Sequence, residues 1–178
     1  MKSISLMAAL VISTSALAQT APPYAGLQSR SIKALSDQQL SDLHAGRGAG
    51  LALAAELNGY PGPAHVLELA DKLSLSPAQR ERAQTLFAAM KAEAVPLGEQ
   101  LIAREEELDR LFASRTVTAT NLVAATQAIG DTQAALRATH LKYHLSMTDL
   151  LSPKQVQHYS VLRGYGGGEQ MPHPHHQH

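Results

Sequence analysis

A helix start is written into this chain three times. Leu75-Ser76-Pro77-Ala78-Gln79 and Leu151-Ser152-Pro153-Lys154-Gln155 share one phrase, and Leu35-Ser36-Asp37-Gln38-Gln39 is a degenerate copy. Each serine can accept a hydrogen bond from a free backbone N–H as N-cap. Proline suits the first helical position, where its missing N–H costs nothing, and the glutamine can reach back to close a capping box. Leu35 with Leu40, and Leu151 with Val156, can add a hydrophobic staple across the cap. A chain punctuated in this way is confined to a succession of helices.

The pattern between the caps sets their lengths. Pro77 to about Ala113 carries Ala83, Phe87, Met90, Ala94, Leu97 and Leu101 on one seam. After a polar gap at Arg104 the seam resumes at Leu108 and Leu111. Arg82, Lys91, Glu99, Glu106, Asp109 and Arg110 fall on the other side. Pro96 removes one backbone bond and predicts a bend near Ala92–Pro96. A short link, Ser114 to Thr118, leads to a second long helix from about Ala119 to Leu150. Its seam is Leu122, Ile129, Leu136, His140, Tyr143, Met147 and Leu150, widened by Leu141 and Leu145. Short helices are expected from Asp37 to about Ala45, Leu51 to Leu57, His65 to Leu73, and Pro153 to about Arg163. Gly46, Gly48 and Gly50, and the run Asn58-Gly59-Tyr60-Pro61-Gly62-Pro63, interrupt them. The fold class is therefore all-α: a long antiparallel helical hairpin with short flanking helices. One hairpin cannot bury both wide faces, so a homodimer is expected.

The ends read differently. Lys2, the apolar run Ile4 to Leu17 and the small-x-small sequence Ala16-Leu17-Ala18 form a signal peptide over residues 1–18, cut after Ala18. Residues 19–62 are a lead-in with short helices, 63–165 the helical domain, and 166–178 an unstructured tail rich in histidine. The mature protein is therefore expected to be exported, with no membrane span after cleavage. The chain has no cysteine, so packing or a partner must hold it together there. Lys and Arg number 15, as do Asp and Glu, and this balance argues against a nucleic-acid partner. Aromatic residues make up 4%, too few for a β-sandwich core.

His140 and His144 lie one turn apart on one helix face, where two imidazoles can share a metal, and Met147 adds a soft sulfur a turn further on. Placing Leu111 opposite Leu122 sets His140 across from Glu93 and His144 across from Met90. His140, His144 and Glu93 with Met90 or Met147 would suit zinc, copper or nickel. The competing reading packs His140 in the seam with its polar atoms satisfied and leaves His144 at the edge. In the tail, His173, His175, His176 and His178 fall within six residues and can bind divalent metals without fixed geometry. No metal or other cofactor is required by these patterns. Nucleophilic catalysis has no support: the serines sit in caps or turns, and Gly46–Gly50 follows no strand. The chain does not read as an enzyme. Glu105, Glu106 and Glu107 read as a solvated helix face.

Two such caps at hairpin spacing, a leader, no cysteine and a histidine-rich tail resemble the Spy/CpxP family of bacterial periplasmic proteins. Its relatives include the zinc-resistance-associated protein and the nickel/cobalt sensor CnrX. The family's mark is a repeated Leu-Thr-x-x-Gln, with serine here in place of threonine at Ser76 and Ser152. The similarity covers about Leu67 to Tyr165. It implies a small all-α fold, usually a curved antiparallel dimer, acting in envelope stress. Some members hold unfolding clients in a concave cradle without ATP; others bind zinc, copper, nickel or cobalt. The sensor's ligand set is not reproduced. Met147 coincides with its methionine, but Tyr143 stands where it has histidine and Phe87 where it has glutamate, and His65 is the sole candidate for its paired histidines.

Two roles follow. The first is a chaperone for unfolded envelope proteins, with Leu86, Met90, Leu97, Ile102, Leu141 and Leu145 as an exposed client surface; the same residues would otherwise form an ordinary core or dimer seam. The second is heavy-metal binding, for resistance or as input to a sensor-system component. A third reading, a purely structural coiled-coil partner, would show neither activity.

Overall fold

The computed structural model of the chain describes residues 22–165. The expected signal peptide and the histidine-rich tail lie outside these residues. Among the described residues all regular structure is helical, in the order α1 (Asp37–His44), α2 (Leu53–Glu56), α3 (Pro63–Glu68), α4 (Pro77–Ala113), α5 (Ala119–Leu150) and α6 (Pro153–Leu162). A single 3-10 turn, Leu27–Ser29, precedes α1. The two long helices begin and end where the caps and seams place them. The expected helix from His65 to Leu73 is shorter, stopping at Glu68 and continuing as turns to Ser74, which holds a left-handed φ of 50°.

The capping boxes form at Ser36/Gln39, Ser76/Gln79 and Ser152/Gln155. A fourth, Thr118/Asn121, starts α5. The repeated phrase has a second use. Gln79 Nε2 donates to Gln155 Oε1 at 3.0 Å, and Gln155 Nε2 donates back to Gln79 Oε1 at 3.1 Å. The same two amides also donate to Leu150 O at 3.1 Å and to Leu73 O at 3.2 Å. The two motifs thus lock onto each other, tying the start of α4 to the turn between α5 and α6.

Helices α4 and α5 pack along each other as the antiparallel hairpin. The locked glutamines close one end. Arg104, which donates to Ala128 O and Thr132 Oγ1, bridges the other half. Two apolar clusters fill the space between layers. One joins Val66, Ala70, Met90, Tyr143, Met147 and Tyr159; the other joins Ile32, Leu35, Leu43, Ala94, Leu101 and Leu136. Each large side chain buried this way contributes about 1.5–3 kcal/mol. α1 crosses α4 at Gly98, where a side chain would meet the Leu43 carbonyl oxygen at 2.5 Å. α4 runs unbroken through Pro96.

The buried face of α4 differs from the heptad seam. It runs Ala83, Leu86, Met90, Ala94, Gly98, Leu101, Glu105, with Leu86 and Gly98 where Phe87 and Leu97 were expected. Those two side chains are half-buried and pack on the clusters from the flank. The reason is that α1 and α3 cover α4 from a second side, so the buried stripe follows the 3.6-residue helix rather than a two-helix 3.5 repeat. Glu105 is consequently 9% exposed, not on a solvated face. Burial raises its carboxyl above the usual range.

Candidate metal centre

Between the two apolar clusters the α5 seam turns polar: Thr139 and His140, then Tyr143 and His144, are all buried. Two glycine turns fold over this stretch. Gly48 lies against His140, where an added Cβ would stand 3.4 Å from Nδ1. Gly62 lies against His144, where a Cβ would stand 2.8 Å from Cε1 and 3.0 Å from Nε2. At Gly62 only a residue without a side chain lets the loop close this tightly. The result is a cavity of about 220 Å³, lined among others by His140, His144, Glu56 and Met90.

Glu56 was not anticipated. It is the last residue of α2 and is 7% exposed. Its Oε1 accepts from Tyr159 OH at 2.5 Å, Arg163 Nε at 3.3 Å and Tyr165 OH at 3.3 Å. Its Oε2 is buried with no hydrogen-bond partner and lies 3.8 Å from His144 Nδ1. Sequence carries one faint signal for it, a single acid in the apolar run Leu51 to Leu57.

The histidines differ in state. His144 Nδ1 stands 2.7 Å from Tyr60 O. A carbonyl only accepts, so Nδ1 carries the proton and Nε2 keeps its lone pair. His140 is 2% exposed, and its Nε2 is buried without a partner. Burial, and then the neighbouring His144, hold its pKa below 6.5. The lowered pKa of His140 favours its neutral imidazole, the form that binds metals. The seam reading that leaves the polar atoms of His140 satisfied does not hold, nor is His144 at an edge.

Other expected ligands are elsewhere. Glu93 faces Lys142, which donates to its Oε2, and Tyr143, whose OH donates to Oε1 at 2.7 Å. These two bonds pull its carboxyl below the usual range, and it does not line the cavity. The facing register is displaced from the one that puts Glu93 opposite His140. Met147 is fully buried in the apolar cluster and does not line the cavity either. Met90 does, from the opposite helix. Among the described residues, no three His, Asp or Glu side chains come together as a group that could hold a metal ion. His173, His175, His176 and His178 lie outside the described residues.

The client-surface candidates divide. Leu86 and Met90 are buried in the core, so neither is an exposed contact. Leu97, Ile102 and Leu141 are half-buried, and Leu145 is 55% exposed. No helix among the described residues is long and apolar enough to cross a membrane.

A family described as heavy-metal resistance matches the chain over residues 45–158. No curated protein and no solved structure matches it. The matched span begins at the glycine turn over His140, includes Glu56, His140 and His144, and ends within α6. With the paired Leu-Ser-Pro-x-Gln caps and the helical hairpin in place, the chain belongs to this heavy-metal resistance family of Spy/CpxP-like proteins.

Proposed function

We propose that this is an exported, periplasmic heavy-metal-binding protein that takes up a divalent cation between His140, His144 and Glu56. The observation that carries the reading is a pair of buried, unpartnered atoms, His140 Nε2 and Glu56 Oε2, on two residues that line one cavity. A buried polar group without a partner costs about 1–3 kcal/mol, and native folds keep few. A cation would satisfy both atoms at once. The Tyr60 carbonyl would orient His144 as a second-shell group, and Tyr159 with Arg163 would do the same for Glu56. Two imidazoles and a carboxylate suit zinc, nickel or copper(II), and the Met90 thioether adds a soft donor nearby. No step of covalent chemistry is needed: the cation is cargo.

The test is calorimetric titration of zinc and copper, with and without residues 169–178. Stoichiometric binding that survives loss of the tail and disappears in the His140→Ala/His144→Ala double variant is the expected result. Binding that vanishes with the tail would refute a site in the folded domain. Client holding has less footing in this fold, since only Leu145 of its six candidates is exposed. It predicts suppression of client aggregation by metal-free protein.

A further inference from the structure

The buried histidines need a way in. His140 and His144 are 2% and 7% exposed, so a hydrated cation cannot meet them without first shedding water. A second cavity, of about 540 Å³, adjoins the first, and two long side chains, His65 and Met90, line both. The remaining shared wall is Gly48, Ala49 and Ala64, which leave little side-chain bulk between the two spaces.

His65 is placed to act at this boundary. It is the third residue of α3, after Pro63 and Ala64, and its side chain is 39% exposed. Its Nδ1 lies 2.9 Å from Glu68 Oε2. That carboxylate holds the Nδ1 proton and leaves Nε2 as the free donor, the same orientation the Tyr60 carbonyl imposes on His144. Asp42, Glu68, Arg47 and Lys91 all line the outer cavity, and Arg47 is already paired with Asp42 at 2.6 Å. The outer space therefore offers a cation one oriented imidazole and one accessible carboxylate.

We propose that His65 and Glu68 form an outer capture site for the divalent cation, which then passes along Met90 to His140 and His144. This rests on the inner site proposed above. An outer ligand on the path lowers the barrier in both directions, so its removal slows binding and release together and leaves the equilibrium unchanged. A ligand of the final site changes the equilibrium instead.

The experiment is stopped-flow zinc exchange against a chromophoric chelator. It uses full-length protein in which His173, His175, His176 and His178 are replaced by alanine. His65→Ala should slow association and dissociation alike, by the same factor, with Kd unchanged within twofold. Glu68→Gln should do the same to a smaller degree. Unchanged rates in His65→Ala would overturn the proposal by showing that zinc enters elsewhere. A rise in Kd to match His140→Ala would also overturn it, by making His65 a ligand of the final site. Failure of wild type to bind zinc at all would instead remove the inner site. Both residues are exposed, and circular dichroism of the variants would confirm an intact fold.

Discussion

Gly62→Ala puts a methyl group where the cation is proposed to sit. The backbone at Gly62 is extended, φ −88° and ψ 148°, so alanine is conformationally allowed. In an extended position the change stiffens the unfolded chain, worth about 0.4–1 kcal/mol in favour of folding. Against that, the new Cβ would stand 2.8 Å from His144 Cε1, 3.0 Å from Nε2 and 3.6 Å from Glu56 Oε2. Carbon atoms settle at about 3.5–4.0 Å, so the imidazole must withdraw by about 1 Å. It is tied to Tyr60 O through Nδ1 and cannot move without straining that bond. Misplacing a supported ligand costs about 10–100-fold in metal affinity, or about 1.4–2.8 kcal/mol. Metal-free stability should change by less than about 1 kcal/mol, since the packing cost and the entropy gain oppose each other. Gly48→Ala is the control: its Cβ would meet His140 Nδ1 at 3.4 Å, an ordinary contact. Zinc calorimetry and urea unfolding on both variants separate the terms. Wild-type zinc affinity in Gly62→Ala, with only its stability reduced, would refute the placement of the site.

Gln79→Ala removes four side-chain bonds, to Leu150 O, to the Ser76 N–H and the reciprocal pair with Gln155; at about 0.5–1.5 kcal/mol each, urea unfolding should show a loss of about 2–6 kcal/mol. A loss below about 1 kcal/mol would mean that the paired glutamines are replaceable by water. Gly98→Ala should be destabilising although alanine favours helix by about 1 kcal/mol, because the methyl would meet the Leu43 carbonyl oxygen at 2.5 Å and force α1 off α4; overpacking of this kind costs about 1–3 kcal/mol. Amide exchange should localise the loosening to α1. Folding of metal-free protein should weaken as pH falls through about 6.5, because the folded state holds His140 below that value and the unfolded chain takes up the proton first. The stability is present above 6.5 and is lost below it. Glu105, raised by burial, works in the opposite sense at lower pH, so the difference between wild type and His140→Gln isolates the histidine; identical pH profiles for the two would refute the assignment.

The long elements were legible because each of their ends carries a local chemical signal. Ser76, Ser152 and the Ser114–Thr118 link act within a few residues, and such short-range hydrogen bonds form regardless of what packs later. The burial of His140 followed from its place on the seam, whereas His144, one turn on, lay off that seam. What failed depended on contacts distant in sequence. Glu93 was assigned to the cavity by a register fixed only at the hairpin turn, and small errors there accumulate along the helix between Leu111 and Glu93. Glu105 was judged by its charged neighbours, whereas α1 and α3 decide how wide the covered face of α4 is. Glu56 sits in a four-residue helix too short to show any period, and its partners Tyr159 and Arg163 are more than 100 positions away.

Glu56 also ties the proposed site to the meeting of α2 with the residues of and just after α6. One carboxylate oxygen secures the C-terminal residues Tyr159, Arg163 and Tyr165, while the other is turned toward His144 of the hairpin. The lead-in helix, the hairpin and α6 therefore converge on one cavity, and each contributes to its wall or its ligands. A ligand that binds only the folded state adds RT ln(1 + [L]/Kd), about 2.7 kcal/mol at a hundredfold excess over Kd. That gain would be distributed over all three elements, because unfastening any of them dismantles the site. The proposed donor set contains no thiolate, so affinity would rest on imidazole nitrogens and one carboxylate and would fall as pH drops. On that reading the unpartnered atoms of His140 and Glu56 cost stability that cation binding would offset.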